Sequence, residues 1–509
     1  MTSYRVSADI GGTFTDFVFE DAAGGTRIGK VPTTPQNPSR GVLDGLAAGP
    51  CSLDEIDFFV HGTTVGLNAF LERRGARTLL LMTAGISDGY TIARGHRTQL
   101  YKLHYRKPKQ LVPRRDVYEI RERLAWNGAV IEPLNEDDLQ AVVETVKAEG
   151  VPAIAICFLH AFSNPAHERR AKEVLSKALP GVSISLSSDI AREWREYERA
   201  SSVVMDAYVA PVVELYLKTL RAELDEAGMN KTIHVMRSSG GVMTDKIARD
   251  QPISTLLSGP VGGAIGCAQL AKDTERRNLL GVDMGGTSFD LTLIVEGEPQ
   301  LSTETELEGL PLLMSVVDIH TIGTGGGSIA WIEAGGLRVG PKSAGSQPGP
   351  ACYGRGGTEP TVTDANFFLG RLAANSLLGG RMSLDTDAAG AAVAKLARPL
   401  GISDIDLAEG ILAISNAKMA DAMRTITVEK GIDPRSFTLV AYGGAGPMNA
   451  AELAYELDIR EIMIPRFPGT FSAWGMLRSD IRSDFSASFF VQAEQVDPQA
   501  MQTDRKSVV

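Results

Sequence analysis

From Tyr4 the chain alternates apolar and polar positions in short runs separated by glycines: YRVSADI, the turn GGTFTD, FVFED, then AAGG and TRIGKVPTT. Period-two alternation between glycine-rich turns predicts a β-meander over residues 4–31. PSRGVLDGLAAG follows with helical character and Ser39 as a candidate cap. IDFFVHGTTVGLNAFLERRGARTLLLMTAG reads as strand, turn, helix and strand, an α/β unit. Further on, Leu139, Val142, Val143 and Val146 recur at helical spacing ahead of the apolar run AIAICF, which predicts a helix and then a buried strand. Residues 164–190 repeat that order, and a long helix is expected from about Arg195 to Ala227. Strands return at TIHVM, LLGVDM and FDLTLIV. The last third alternates the helix LAEGILAISNAKMADAMRTITVEKG with the strands FTLVAY and EIMIP. Residues 320–360 are rich in Gly and Pro, yet their interleaved Ile, Trp, Val and Tyr predict ordered strands and close turns rather than a linker. The fold class expected is α/β.

One pattern occurs twice. ADIGGTFTDFVFE (8–20) and GVDMGGTSFDLTL (281–293) both run apolar strand, Asp-x-Gly-Gly-Thr-x-x-Asp, apolar strand. A tight hairpin with exposed backbone N–H groups and no bulky Cβ is a nest for an anionic phosphate. Gly11, Gly12, Gly285 and Gly286 supply the backbone. Thr13, Thr15, Thr287 and Ser288 add hydroxyls. Asp9 and Asp283 stand where a hard cation such as Mg²⁺ bridges carboxylate, water and phosphate, which makes them the metal and catalytic candidates. A third turn, in LVAYGGAGPMNAAELAYEL (439–457), follows a strand and opens a helix. Gly443, Gly444 and Gly446 there permit close backbone approach to a flat ligand, with a helix N-terminus behind. The spacing is neither the dinucleotide G-x-G-x-x-G nor a Walker A loop.

Other positions carry two readings. His61, Thr63 and Thr64 end a strand ahead of a helix. The threonines either cap that helix or, with His61, line the phosphate site. Asp318 and His320 share a strand face before Gly325, Gly326 and Gly327, a placement that suits phosphate or substrate contact or else a strand-end pair. Residues 94–115 form a basic stretch, read as a solvated face or a docking surface. Residues 192–202 carry alternating charge, read as an ion-pair network.

The chain has 509 residues, which calls for two or more domains. A net charge of −11 argues against a nucleic-acid backbone binder. The four cysteines show no metal or disulfide spacing. The N-terminus shows no signal pattern and no long uncharged apolar run occurs, so no membrane partner and a cytoplasmic location are expected.

The twin turns and the late glycine turn resemble the actin-like ATPase and sugar-kinase superfamily. The chain is identified as similar to the hydantoinase A/oxoprolinase family by ordered blocks that include HGTTVGLNAFLERRGART, REYERASSVVMDAYVAP, SSGGVM, SGPVGGAIG, DMGGTSFDL, DIHTIGTGGGSIAW, LRVGPKSAGSQPGPACYGRGGTEPTVTDAN, DPRSFTLVAYGGAGPMNAAELA and PGTFSAWGML. The resemblance implies two ribonuclease-H-like domains flanking an ATP cleft. The first is expected over 1–190 and the second over 191–490, with a polar tail at 491–509 in place of the family's usual C-terminal domain. It implies ATP and Mg²⁺ as cofactors, with the glycines, threonines and serine named above, Gly325–Gly327 included, as nucleotide contacts and His61 as a catalytic group. It further implies a hydantoinase B-type partner subunit, an oligomer, and a cyclic amide or imide substrate that is phosphorylated before ring opening. The alternatives are the ATPase subunit of a ketone carboxylase and a partner-remodelling ATPase. Where many relatives carry His, this chain has Asn449.

Overall fold

The computed structural model describes every residue except Met1, Thr2, Thr13, Pro35, 376–381, Phe485, Ala487, 489–496, Pro498 and 500–509. Thr13 and nearly all of the expected tail 491–509 therefore lie outside the described residues. Packing divides the chain into two compact units. Residues 1–69, 212–303 and 315–483 form one; residues 70–211, 304–314 and 484–509 form the other. This division does not fall at 190. The reason is strand pairing: Ile56–Gly62 takes Ile233–Met236 as its parallel neighbour, so the chain leaves the first sheet, builds 70–211, and returns to the same sheet.

The first unit holds two mixed sheets. One runs in the order Val242–Thr244, Ile233–Met236, Ile56–Gly62, Tyr4–Ile10, Phe14–Asp21, Thr26–Pro32. The other runs Glu298–Pro299, Phe289–Val295, Leu279–Met284, Thr438–Tyr442, Ile462–Met463, with Ile319–Ile322 also paired to Phe289–Val295. Both share one plan: an antiparallel hairpin whose first strand takes a parallel neighbour on its other edge. The helix Ser258–Thr274 serves both sheets. Its Val261 and Ala264 pack with Val18, Val60 and Met236 of the first, and its Cys267, Ala268 and Ala271 pack with Leu279, Ile294 and Val440 of the second. Gly281 makes the second contact possible, since a Cβ there would stand 2.7 Å from Thr292 Cγ2 and 2.8 Å from Cys267 Sγ. On the far face of the second sheet Leu280, Val282 and Leu439 are sealed by helices Asp404–Glu429 and Gly446–Glu456. Each such fully buried aliphatic side chain contributes about 1.5–3 kcal/mol.

The expected helix after the meander spans Pro38–Ala47, but Asn37 occupies its cap and Ser39 instead donates to Asn37 Oδ1 at 2.8 Å. Pro38 explains the shift, because its fixed φ suits the first helical position. The Gly/Pro-rich region is ordered as expected: Ser328–Glu333 pairs with Gly336–Ser343, and Trp331 Nε1 donates to Gly340 O at 2.9 Å.

The second unit is built on a four-stranded parallel sheet in the order Ser183–Leu186, Ala153–Cys157, Thr78–Thr83, Val117–Ile120. Helix Glu136–Glu149 buries the expected stripe Leu139, Val142, Val143 and Val146 on one face of it. Asn135 caps this helix and left-handed Gly150 ends it. Ala200, Val203, Val204 and Ala207 cover the other face. They belong to helix Glu196–Glu226, which is long and apolar enough to cross a membrane by composition alone. Its most apolar window is 78% buried within the protein.

Candidate functional site

The two repeated turns close in the same way. Gly11 N donates to Phe14 O at 2.9 Å, and Gly285 N donates to Ser288 O at 3.1 Å. Pairing sets Asp9 opposite Asp16 and Asp283 opposite Asp290, and directly opposed residues of an antiparallel pair share a face. Each hairpin thus carries two carboxylates side by side below its tip. At Gly12, Gly285 and Gly286 an added Cβ would meet nothing within 4 Å, so the tips present bare backbone to open space. Thr287 is exposed and Ser288 half-buried beside them.

The carboxylates are short of positive charge. Burial raises the pKa of Asp9 well above the usual range, and repulsion from Asp16 and Asp283 adds to it against the pull of Lys30. Asp283 is pushed up to about 7 by burial and by Asp290, opposed by a hydrogen bond from Ser472 Oγ at 3.2 Å. Burial likewise raises Asp16, which Lys30 counters, and Asp290, which hydroxyls of Thr321 and Ser288 counter. Asp9 lies close enough to Asp283 to feel its charge, so the two turns are near each other within the first unit. Asp9, Asp16 and Asp283 all feel the ammonium of Lys30, and carboxylates pushed up in this way suit a hard divalent cation, which would favour their ionised forms. Among the described residues no three acidic, His or Cys side chains converge as ready-made metal ligands.

The other glycine turns have different tasks. Gly443 has φ +82°, and a Cβ there would run into the Asp283 carboxylate and stand 2.6 Å from Met284 O. Ala445 N donates to Met284 O at 2.9 Å, so the third turn lies under the second. Gly444 faces open space, and Gly446 begins the helix Gly446–Glu456. Gly325, Gly326 and Gly327 are buried, and their N–H groups are spent. Gly325 N donates to Ser328 Oγ at 2.9 Å, Gly326 N to Gly285 O at 3.0 Å and Gly327 N to Gly286 O at 2.7 Å. They hold the second turn from behind, so the expected ligand contact becomes a buttress. Thr15 is also buried, sharing a 3.2 Å hydrogen bond with Thr33 Oγ1, while Thr33 donates to Gly11 O.

His61 is fully buried, with Nδ1 3.0 Å from Ala8 O and Nε2 2.6 Å from Tyr216 Oη. Burial lowers its pKa to about 4. The neutral ring therefore donates Nδ1–H to the carbonyl and accepts from the tyrosine. It ties the first sheet to helix Glu196–Glu226 and faces no open space, which corrects the expectation of a catalytic group lining the site. Thr63 Oγ1 accepts from Val65 N at 3.2 Å, the capping role, and Thr64 Oγ1 donates weakly to Ile10 O at 3.4 Å beside the first turn. Asp318 pairs with Lys430, and His320 is exposed on the strand. Thr321, one residue on, is the group that reaches Asp290, at 2.6 Å. Asn449 is buried, and its amide donates to Ala445 O at 3.0 Å, bracing the third turn.

Asp16, Asp290, Lys30 and Ser472 belong to the site without having been singled out. Register exposes three of them: the second Asp of each repeat falls opposite the first, and Lys30 falls opposite Asp16 on the next strand. Ser472 sits far downstream with no local signal.

The site defines an α/β protein with paired carboxylate–glycine turns. The chain belongs to the hydantoinase/oxoprolinase family, whose family model matches residues 199–485 and whose N-terminal region model matches residues 5–179. It is 36% identical to the caprolactamase subunit alpha of Pseudomonas jessenii over 99% of this chain and 75% of that one. The crystal structure of that ATP-dependent caprolactamase superposes with a TM-score of 0.86, covering 99% and 76% of the two chains. The chain is also 35% identical to the acetophenone carboxylase gamma subunit of Aromatoleum aromaticum, over 94% and 68%. A nucleotide-free acetone carboxylase, at 29% identity over 94% and 70%, superposes with a TM-score of 0.81.

Proposed function

We propose that this chain is the ATP-using subunit of an enzyme that phosphorylates and so activates a cyclic amide for ring-opening hydrolysis with a B-type partner subunit. The observation that carries this is the pair of like-built turns whose Asp9 and Asp283 carboxylates act on each other. Backbone at Gly11, Gly12, Gly285 and Gly286, with Thr287 and Ser288, would hold phosphate oxygens. Asp9 and Asp283 would hold Mg²⁺, with Asp16 and Asp290 within reach. The surface at Gly444, above the helix that Gly446 opens, would take the adenosine side. The shared plan of the two sheets supports two ribonuclease-H-like halves of the actin and sugar-kinase kind.

Unstrained amides resist hydrolysis, and Mg·ATP supplies the phosphoryl group that makes an amide oxygen a leaving group. What the chain's residues contribute is position and charge. The glycine tips bring N–H donors to the anion, Lys30 balances Asp16, and Ser472 fixes one Asp283 oxygen. Because a ketone-carboxylase relative stands at nearly the same identity as the lactamase relative, activation of an enolate oxygen is the second reading. A partner-remodelling ATPase is the third.

The test is ATP turnover by the purified chain, alone and with a B-type subunit. The substrates are 5-oxoproline, hydantoin, N-methylhydantoin and caprolactam, and acetone or acetophenone with and without bicarbonate. Stimulation by a cyclic amide supports the proposal. Stimulation by a ketone only with bicarbonate moves the chain to the carboxylase reading. Stimulation by protein partners alone rejects both.

A further inference from the structure

The sheet of the 70–211 unit is parallel throughout, and its growth reverses. From Thr78–Thr83 the chain adds Val117–Ile120 on one side, then crosses to add Ala153–Cys157 on the other. Open α/β sheets take ligands at the carboxyl ends of the strands flanking such a reversal. Here those ends are Thr83 and Cys157.

Polar groups crowd this edge, and nearly all are satisfied. Thr83 Oγ1 accepts from Leu159 N at 2.8 Å and donates to Glu122, whose other oxygen lies 2.7 Å from His167 Nδ1. Glu168 is fully buried and accepts from Phe158 N at 2.9 Å, Ser187 Oγ at 2.6 Å and Ser188 N at 2.9 Å. The exceptions are Ser188 Oγ, His160 Nδ1 and, above all, Arg199. The arginine is fully buried, and its Nη2 donates to Phe158 O at 2.6 Å. Its Nε and Nη1 are buried without a hydrogen-bond partner. The Phe162 ring, 5.4 Å away, attracts the cation but accepts none of its in-plane hydrogens in the way an oxygen does. A guanidinium does not shed its proton, so two idle donors on a buried charge carry a heavy desolvation cost unless a ligand meets them.

His160 lies near enough to feel the Arg199 charge. It is a non-glycine residue held at φ +58°, and its Nδ1 is buried without a partner. Such conformations persist where the surroundings enforce them and concentrate at ligand sites. The charges acting on its ring are Glu196, Arg199, Arg123 and Glu122. Glu122 is engaged by Thr83 and His167, and Arg123 donates to Ala84 O at 3.0 Å.

We propose that this carboxyl edge of the sheet is a second ligand site, taking a compact monoanionic oxyanion, a carboxylate or bicarbonate, against the idle donors of Arg199 with His160 Nδ1–H beside it. Glu122, Glu168 and Glu196 already bring negative charge to this edge beside Arg199 and Arg123, which disfavours the two charges of a phosphate dianion relative to a monoanion. Neither the twin turns nor any reading of them enters this inference.

The test is isothermal titration of the full chain with sodium acetate, sodium bicarbonate and inorganic phosphate, with sodium chloride as the salt control. Saturable binding of acetate or bicarbonate is expected, weakened at least ten-fold in both Arg199→Met and His160→Ala, with melting curves run on each variant. Should Arg199→Met fail to fold, the half-buried His160 variant and a wild-type crystal soaked in acetate decide. Density for acetate on Arg199 supports the site. It is overturned by absence of saturable acetate and bicarbonate binding, by binding unchanged in the variants that fold, or by a soaked crystal with only water on Nε and Nη1. Phosphate binding that survives both variants while acetate and bicarbonate stay silent belongs to the glycine turns and also overturns it.

Discussion

The two hairpin turns share a sequence pattern, a closing hydrogen bond and a pair of opposed carboxylates, yet they balance their charge by different means. At the first turn an ammonium does it: Lys30 lies across from Asp16, 2.5 Å from its Oδ1. At the second turn hydroxyls do it: Thr321 and Ser288 on Asp290, Ser472 on Asp283. The turns also differ in support. Beside the first, Asp9 pairs in register with Gly62; beside the second, Asp283 pairs with Tyr442, and two further glycine turns pack behind. Repetition therefore produced two halves of a site that are alike in shape and unlike in charge. An ammonium neutralises, whereas hydroxyls only solvate, yet Asp9 and Asp283 are both pushed up despite the reach of Lys30, so both halves lack a cation and differ in how their second carboxylate is held.

The sharpest break falls on the support of the second turn. Gly443→Ala forces a left-handed residue and drives a Cβ into Asp283. A loss of about 1–3 kcal/mol and of nearly all ATP turnover is expected. At the first turn Gly62 likewise crowds a carboxylate, a Cβ there standing 2.8 Å from Asp9 Oδ1, but without a left-handed φ, so a melt that leaves Gly443→Ala at the wild-type temperature would remove the buttress from the comparison.

Next come the carboxylates. Asp283→Asn is expected to abolish Mg²⁺-dependent turnover and leave the fold intact. The pH dependence gives an independent reading. The pKa of Asp283 is about 7 when folded and near 3.8 when unfolded, so between those values the native state holds more protons than the unfolded chain. Stability of the ligand-free protein then falls as pH rises from about 4 to about 7. In Asp283→Asn that fall should be shallower, and saturating Mg²⁺ should flatten it in the wild type. A variant as steep as the wild type would deny the strained second half.

Lys30→Met tests the first half. Losing a charged hydrogen bond of roughly 1.5–3 kcal/mol should raise the ATP KM by about ten-fold or more, while Thr321→Val on the other half should cost less. Equal effects would erase the ammonium–hydroxyl distinction. Tyr216→Phe strips a buried hydrogen bond from His61, at about 1 kcal/mol or somewhat more. It is expected to lower the melting temperature with kcat near the wild-type value, because His61 braces the strand beneath the first turn.

How far the sequence reached follows from range. Period-two runs and glycine turns mark the meander at 4–31, and the helical stripe Leu139–Val146 is buried as expected, because both are local patterns. The twin turns were legible because the motif is short and repeated. His61 was misjudged because its neighbours suggest a turn-facing group, whereas Tyr216, 155 residues later, claims its second nitrogen. Gly325–Gly327 were misjudged likewise: glycines that let a ligand approach and glycines that let another backbone approach look the same in sequence, and only the carbonyls of Gly285 and Gly286 tell them apart. The packing division was hidden for the same reason, since nothing local announces that Ile233–Met236 will rejoin a strand ending at Gly62.

The smallest expected effect tests the third turn at its open side. Gly444 has free space around the direction of a Cβ and, unlike Gly443, no left-handed φ. Gly444→Ala should therefore cost little stability and crowd only a ligand that lies against the turn. If adenosine lies there, the variant raises the ATP KM while kcat stays near the wild-type value, the signature of binding lost equally from ground and transition states. Chemistry at the carboxylates is unchanged because Asp283 rests on Gly443, whereas a Cβ at Gly444 meets nothing within 4 Å. Titration with a non-hydrolysable ATP analogue alongside a melt separates ligand contact from scaffold. Weaker binding at an unchanged melting temperature puts the nucleotide against this turn. Unchanged affinity leaves the third turn as support for the second alone, and the asymmetry between the halves is then one of charge and packing without a separate adenosine face.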